Sequence, residues 1–130
     1  MSGVSMTVGA VNLLHRPEIN IALIDREGRE QSIEAHLDTG FTGNLTLPTA
    51  AITQLRLPFI GSTNFRIGDG VLTRFDLYEA TIWWQGNQRT INVLASEVFP
   101  LVGIGLLWGN NLSVDFKHGG EVSISELQDG

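Results

Sequence analysis

The chain has 130 residues, enough for one domain with its own core, and its 42% apolar and 17% charged residues exclude a disordered chain. It has no cysteine, which excludes a disulfide scaffold, a cysteine zinc site, an iron–sulfur cluster and a thiol nucleophile. The net charge is −6 and Lys117 is the only lysine, so no phosphate-binding surface is expected and nucleic acid is not an expected partner.

The first fourteen residues, Met1 to Leu14, are mildly apolar but lack the basic start and small-residue cleavage site of a secretion signal. No run reaches the roughly 18 apolar residues of a membrane span. The expectation is a soluble, cytoplasmic protein with no membrane partner. Residues Glu18 to Ile24 alternate, with Ile19, Ile21 and Leu23 on one face, as a half-buried strand does. Asp25-Arg26-Glu27-Gly28 reads as a turn, and Ser32 to Asp38 alternates again with Ile33, Ala35 and Leu37 inward. Asn44 to Leu47 is a short strand closed by Pro48. Thr49 to Arg56 has an apolar face at helical spacing, with Thr49 as its expected cap and Pro58 as its stop.

Two further strands, Asn64 to Ile67 and Val71 to Trp84, flank Gly68-Asp69-Gly70, and Asp-Gly favours a hairpin turn because both central positions need positive φ. Gln85 to Gln88 reads as a second turn, and Thr90 to Ala95 returns with Ile91 and Val93 inward. Trp83 and Trp84 fall on opposite faces of their strand, and Tyr78, Ala80 and Ile82 share the inward one. The nearly unbroken apolar run Leu101 to Trp108 is expected to be buried on most sides, with Trp108 in core or dimer packing. Leu112 to Phe116 and Glu121 to Ser125 form a terminal hairpin across Lys117-His118-Gly119-Gly120. No linker or repeat divides residues 1–130. The sum is a single all-β domain, mostly antiparallel, with one or two short helices.

Chemistry concentrates at Asp38-Thr39-Gly40, which ends a strand and precedes the turn Phe41-Thr42-Gly43. Asp and Gly are ordinary turn residues, so the tripeptide alone also fits a plain turn. A second stretch, Leu101-Val102-Gly103-Ile104-Gly105-Leu106-Leu107, follows with the Gly68-Asp69-Gly70 hairpin between them. In this order the motifs resemble the retropepsin-like aspartic proteases, the single-domain relatives of pepsin. The first motif looks like the family's hydrophobic-Asp-Thr-Gly loop, and the second like its signature of two apolar residues, a glycine, two variable residues and Leu-Leu. The resemblance spans residues 18–116, leaving an extra terminal hairpin strand within residues 117–130.

The resemblance implies a closed acid-protease barrel with a flap, assembled as a symmetric homodimer around a polypeptide substrate, with no cofactor and no metal. Its site would combine Asp38, Thr39 and Gly40 in the catalytic loop with Leu101, Val102 and Gly103 behind it. Ile67, Gly68, Asp69, Gly70, Val71 and Leu72 would form the flap over the substrate. Thr39 would hydrogen-bond across the dimer axis. Two carboxylates about 3 Å apart share one proton, so one can take a proton from water while the other donates. The chain has one such motif, and two carboxylates then require two chains. Phe41 stands where many relatives carry a small residue, Ser or Ala; lacking a hydroxyl for the carboxylate implies a less acidic optimum than pepsin's. The extra strand would either join the dimer sheet or replace a partner's strand in it.

Two other readings remain open on the residues: a retropepsin fold that binds peptide or dimerises without cutting, and an unrelated monomeric β-sandwich whose Asp-Thr-Gly is a turn. His36 and Asp38 lie two apart on a strand and could face one way as ligands, but no third ligand is near in sequence, and His36 reads as a polar-face residue. Gly68-x-Gly70 precedes a strand, which is not the nucleotide-binding context, and no Gly-x-Ser-x-Gly elbow occurs.

Overall fold

The computed structural model describes residues 6–66 and 70–128. Its framework is ten strands and two short helices, all strands in one sheet. β1 (Met6–Val11), β2 (Pro17–Ile24) and β3 (Glu30–Leu37) form an antiparallel meander. Ile19, Ile21 and Leu23 of β2 are buried, as the alternation requires. The β2–β3 turn is tied by Asp25, whose Oδ1 accepts the Glu27 and Arg29 N–H groups at 2.9 Å, with Gly28 at φ 83°.

β4 (Leu45–Leu47) leads into α1 (Thr49–Leu55), which buries Ile52 and Leu55. Thr49 is not the cap of this helix. Pro48 holds the N-cap position and has no side chain that can cap, so the helix start is served from elsewhere. The Thr49 N–H and hydroxyl both donate to the Glu97 carboxylate, which reaches in from a loop 48 residues away. The helix ends at Leu55, with Arg56 as a left-handed C-cap at φ 54°.

β5 (Phe59–Arg66) and β6 (Leu72–Trp84) form the long hairpin, in register from Arg66↔Leu72 to Ser62↔Asp76, with a bulge between Phe59 and Gly61. β5 begins five residues earlier than the sequence reading placed it. Its tip, Ile67 to Asp69, lies outside the described residues. Gln85 and Gly86, at φ 51° and 82°, make a two-residue turn into β7 (Asn87–Ala95), so the four-residue turn expected there is two residues shorter. The Gln85 side chain is buried and accepts from the Thr7 hydroxyl while donating to Asn110 Oδ1 and the Ile124 carbonyl.

The apolar run is not a single element. β8 (Leu101–Val102) is followed by a one-turn helix, α2 (Ile104–Leu107). β9 (Asn110–Val114) and β10 (Glu121–Glu126) close the chain, and Phe116 lies beyond β9, exposed. The strand order is β5-β6-β7-β4-β8-β3-β2-β1-β10-β9, and β6 also pairs with β2 through Ala22↔Trp83 to Ile24↔Thr81. Strands β2, β3, β8, β4, β7 and β6 therefore form a hydrogen-bonded circuit around the core of Ile21, Leu23, Leu45, Ile82, Val93 and Val102. Two of these pairings, β3–β8 and β4–β7, are parallel and the other pairings are antiparallel, in keeping with a mostly antiparallel domain.

The Glu97 cap makes stability depend on pH. Hydrogen bonds from Thr49 hold the Glu97 pKa below the ordinary glutamate value of 4.5 in the folded chain. A folded-state pKa below the unfolded one stabilises the fold above the unfolded value and loses that contribution as pH falls through the folded value. Glu97→Gln is expected to lower Tm at neutral pH, and the difference from the parent is expected to shrink at acid pH, as protonation of Glu97 removes its charge. A Tm difference of the same size at both pH values would show that the charge does not cap α1.

Candidate active site

Asp38 follows β3, and the backbone around it is fixed by β8, which lies between β3 and β4. Leu101 and Val102 pair in parallel with His36 and Leu37, and Val102 pairs with Leu45 on its other side. The Asp38 N–H donates to the Val102 carbonyl at 2.9 Å, and the His36 N–H to the Pro100 carbonyl at 2.8 Å. Further on, the Gly103 N–H donates to Asn44, Ile104 to Phe41, and Gly105 to Gly43, at 2.8–3.0 Å. These bonds clamp the segment from Asp38 to Asn44 from behind. The structure thus places Leu101 beside His36, Val102 against Asp38 and Gly103 against Phe41 to Asn44.

Gly103 is needed for that contact. A Cβ there would lie 2.5 Å from both the Phe41 carbonyl oxygen and Phe41 Cδ2. At Gly43 a Cβ would meet the same ring. The Phe41 ring is fully buried and fills the space these glycines leave, with an edge contact to Phe65 of β5 at 5.7 Å between centroids. Position 41 is therefore a packing position, directed under the loop. The Phe65 contact ties the long hairpin to the Asp38 loop.

The Asp38 side chain is half-buried, and its Oδ1 accepts the Gly40 N–H at 2.9 Å. A Cβ at Gly40 would come within 3.2 Å of that oxygen, a tight approach that glycine avoids. Thr39 and Gly40 are exposed. Of the six residues expected at the flap, Gly70, Val71 and Leu72 are described and exposed, while Ile67, Gly68 and Asp69 fall outside the described residues. Arg66 Nε donates to the Gly70 carbonyl at 3.0 Å, closing the hairpin below its tip.

His36 is not the polar-face residue expected from its position. It is 8% exposed and stacks on Phe99 with centroids 4.0 Å apart. Its Nε2 lies 3.2 Å from both Glu18 Oε2 and Asn12 Nδ2. Burial raises the Glu18 pKa, but hydrogen bonding with Glu34, Asn12 and His36 outweighs it and holds the carboxyl below its ordinary value. His36 is thus engaged with Glu18 and Asn12. No group of three potential metal ligands occurs among the described residues. This network and the Glu97 cap escaped the sequence reading because each joins residues distant in the chain.

No protein-family model matches the chain, and no curated protein matches it. Among solved structures, it is similar to the crystal structure of a retropepsin-like aspartic protease from Rickettsia conorii. The match covers 97% of this chain and 94% of that one, with a TM-score of 0.61 and 14% sequence identity. The two share a fold. The chain is mostly β and has the architecture of a retropepsin-like neighbour.

The packing beneath the loop is open to test. Gly103→Ala is expected to destabilise the chain by about 1–3 kcal/mol, because neither the Phe41 ring nor its carbonyl can move without disturbing the clamp. Urea unfolding measures this directly. Unchanged stability would mean that the backbone at Gly103 does not press on Phe41.

Proposed function

We propose that the chain is an aspartic endopeptidase of the retropepsin type, active as a homodimer with one Asp38 from each subunit at its site. The observation that carries this reading is the Asp38 loop. Its carboxylate is oriented by Gly40, its backbone is clamped by Leu101 to Gly103, and it sits in a chain that shares its fold with a retropepsin-like protease. A lone turn aspartate needs no such clamp.

In the proposed site the two carboxylates hold one proton between them. The ionised Asp38 takes a proton from water as the water oxygen attacks the peptide carbonyl carbon. The protonated Asp38 gives its proton to the carbonyl oxygen. The tetrahedral diol then collapses: the C–N bond breaks, the leaving nitrogen takes the proton that the first Asp38 gained from water, and the second Asp38 takes a hydroxyl proton from the diol, so the pair again holds one proton. Neither a metal nor a covalent intermediate is required. Thr39 would bridge the two loops across the axis.

The substrate is an extended polypeptide between the Asp38 pair and the β5–β6 hairpins, held by main-chain hydrogen bonds in the manner of an added strand. Ile67, Gly68, Asp69, Gly70, Val71 and Leu72 would cover it and exclude water. The apolar side chains of Ile67, Val71 and Leu72 favour apolar substrate residues.

The test is a peptide-library cleavage assay run beside Asp38→Asn across a range of pH. The parent is expected to cleave within the range tested. Asp38→Asn is expected to fold and associate like the parent and to lose cleavage. Retained cleavage in Asp38→Asn would overturn the proposal. A parent that cuts no peptide at any pH would favour a peptide-binding module on the same fold.

A further inference from the structure

Trp108 is unusually placed. It ends the apolar run after α2, where core or dimer packing was expected, and it is 80% exposed in the single chain. It lines a groove of about 530 Å³ together with Thr39, Ile104, Leu107, Leu112 and Leu127. Leu107 is buried, so the groove opens directly onto the core, while Leu127 is 60% exposed. No charged side chain lines it, so covering it desolvates no charge. Thr39 belongs to the Asp38-Thr39-Gly40 loop, so the groove begins at the catalytic loop itself.

The terminal strands narrow how a second chain can join. β1 and β10 pair with each other from Met6↔Ser125 to Ala10↔Glu121, and β10 pairs with β9 from Val122↔Val114 to Glu126↔Asn110. β10 is therefore enclosed on both edges within one chain. The outer edge of β9 ends the sheet, and it borders the groove, because Asn110 and Leu112 belong to both.

We infer that a second copy of this chain seats on this face, groove against groove about an axis beside Thr39, with Trp108 as the anchor, the β9 edges alongside and no terminal strand exchanged. The inference rests on the proposed two-chain site, since two Asp38 loops that share a proton bring their adjoining surfaces together. A twofold contact is made by the same patch on both copies, and an uncharged apolar patch complements itself. A stable dimer buries about 800 Å² per copy, more than a groove alone provides, and the loop, groove and β9 edge form one continuous face. A central tryptophan is the residue type that most often dominates such contacts. Each copy carries its own complete sheet and core. The monomer is then a folded, inactive species, and protein concentration switches the protease on.

The test is sedimentation equilibrium and peptide cleavage on the full chain, comparing the parent, Trp108→Ala, Leu127→Asp and Asp38→Asn. Both groove side chains project into solvent, so their variants are expected to keep the parent's circular dichroism and Tm. Each is expected to weaken dimerisation at least about tenfold, to lose cleavage at low concentration and to recover it as concentration rises. Asp38→Asn is expected to dimerise like the parent without cleaving. Groove variants that dimerise and cleave like the parent would overturn this interface and leave the Asp38 reading intact. A parent that cleaves while wholly monomeric would overturn the two-chain site itself.

Discussion

The Asp38 loop is held by peptide groups rather than by side chains. Val102 accepts from Asp38, and the N–H groups of Gly103, Ile104 and Gly105 reach back to Asn44, Phe41 and Gly43. Such bonds do not depend on rotamers, so the backbone position of Asp38 follows from the placement of β8 between β3 and β4, and the Gly40 N–H orients the carboxylate. That placement requires two segments to pass closer than side chains allow. Gly43 and Gly103 give the room, and the fully buried Phe41 ring takes up what remains. On the proposed reading, a carboxylate carried on a backbone held in this way needs little reorganisation when a substrate arrives.

Much of this was legible in the sequence, for a local reason. Alternation at Ile19, Ile21 and Leu23 and at Ala80 and Ile82 reports burial on one face of a strand, and the structure buries those residues. The two glycine-containing motifs were legible because close backbone approach permits few other residues. β1 was not, since Met6 and Val8 are exposed and of its apolar residues only Val11 is deeply buried; its pairing with β10 gives it order. The start of β5 was hidden in the same way by exposed Phe59 and Ile60 and the bulge at Gly61.

The misreadings were non-local. Thr49 looked like a helix cap because the residue type fits, yet the acceptor at the start of α1 is Glu97. His36 looked solvent-facing because its neighbours alternate, and Phe99 covers it from a loop beyond β7. Trp108 was expected in core or dimer packing because seven apolar or glycine residues precede it; it is not in the core of the single chain, since α2 is only one turn long and turns the indole outward. The groove it borders also needs Leu127, nineteen positions away, which no motif links to it.

A chain with one Asp-Thr-Gly loop and a complete core is, on the proposed reading, a self-sufficient fold carrying half of an active site. Stability then belongs to the single chain and activity to the pair. The most direct measurement is a mixing titration. Parent protein is held at fixed concentration while Asp38→Asn is added in increasing excess, and cleavage is followed. If each site draws one Asp38 from each copy, mixed dimers form and the parent's activity falls toward zero. Activity that stays constant throughout the titration would contradict the two-chain site.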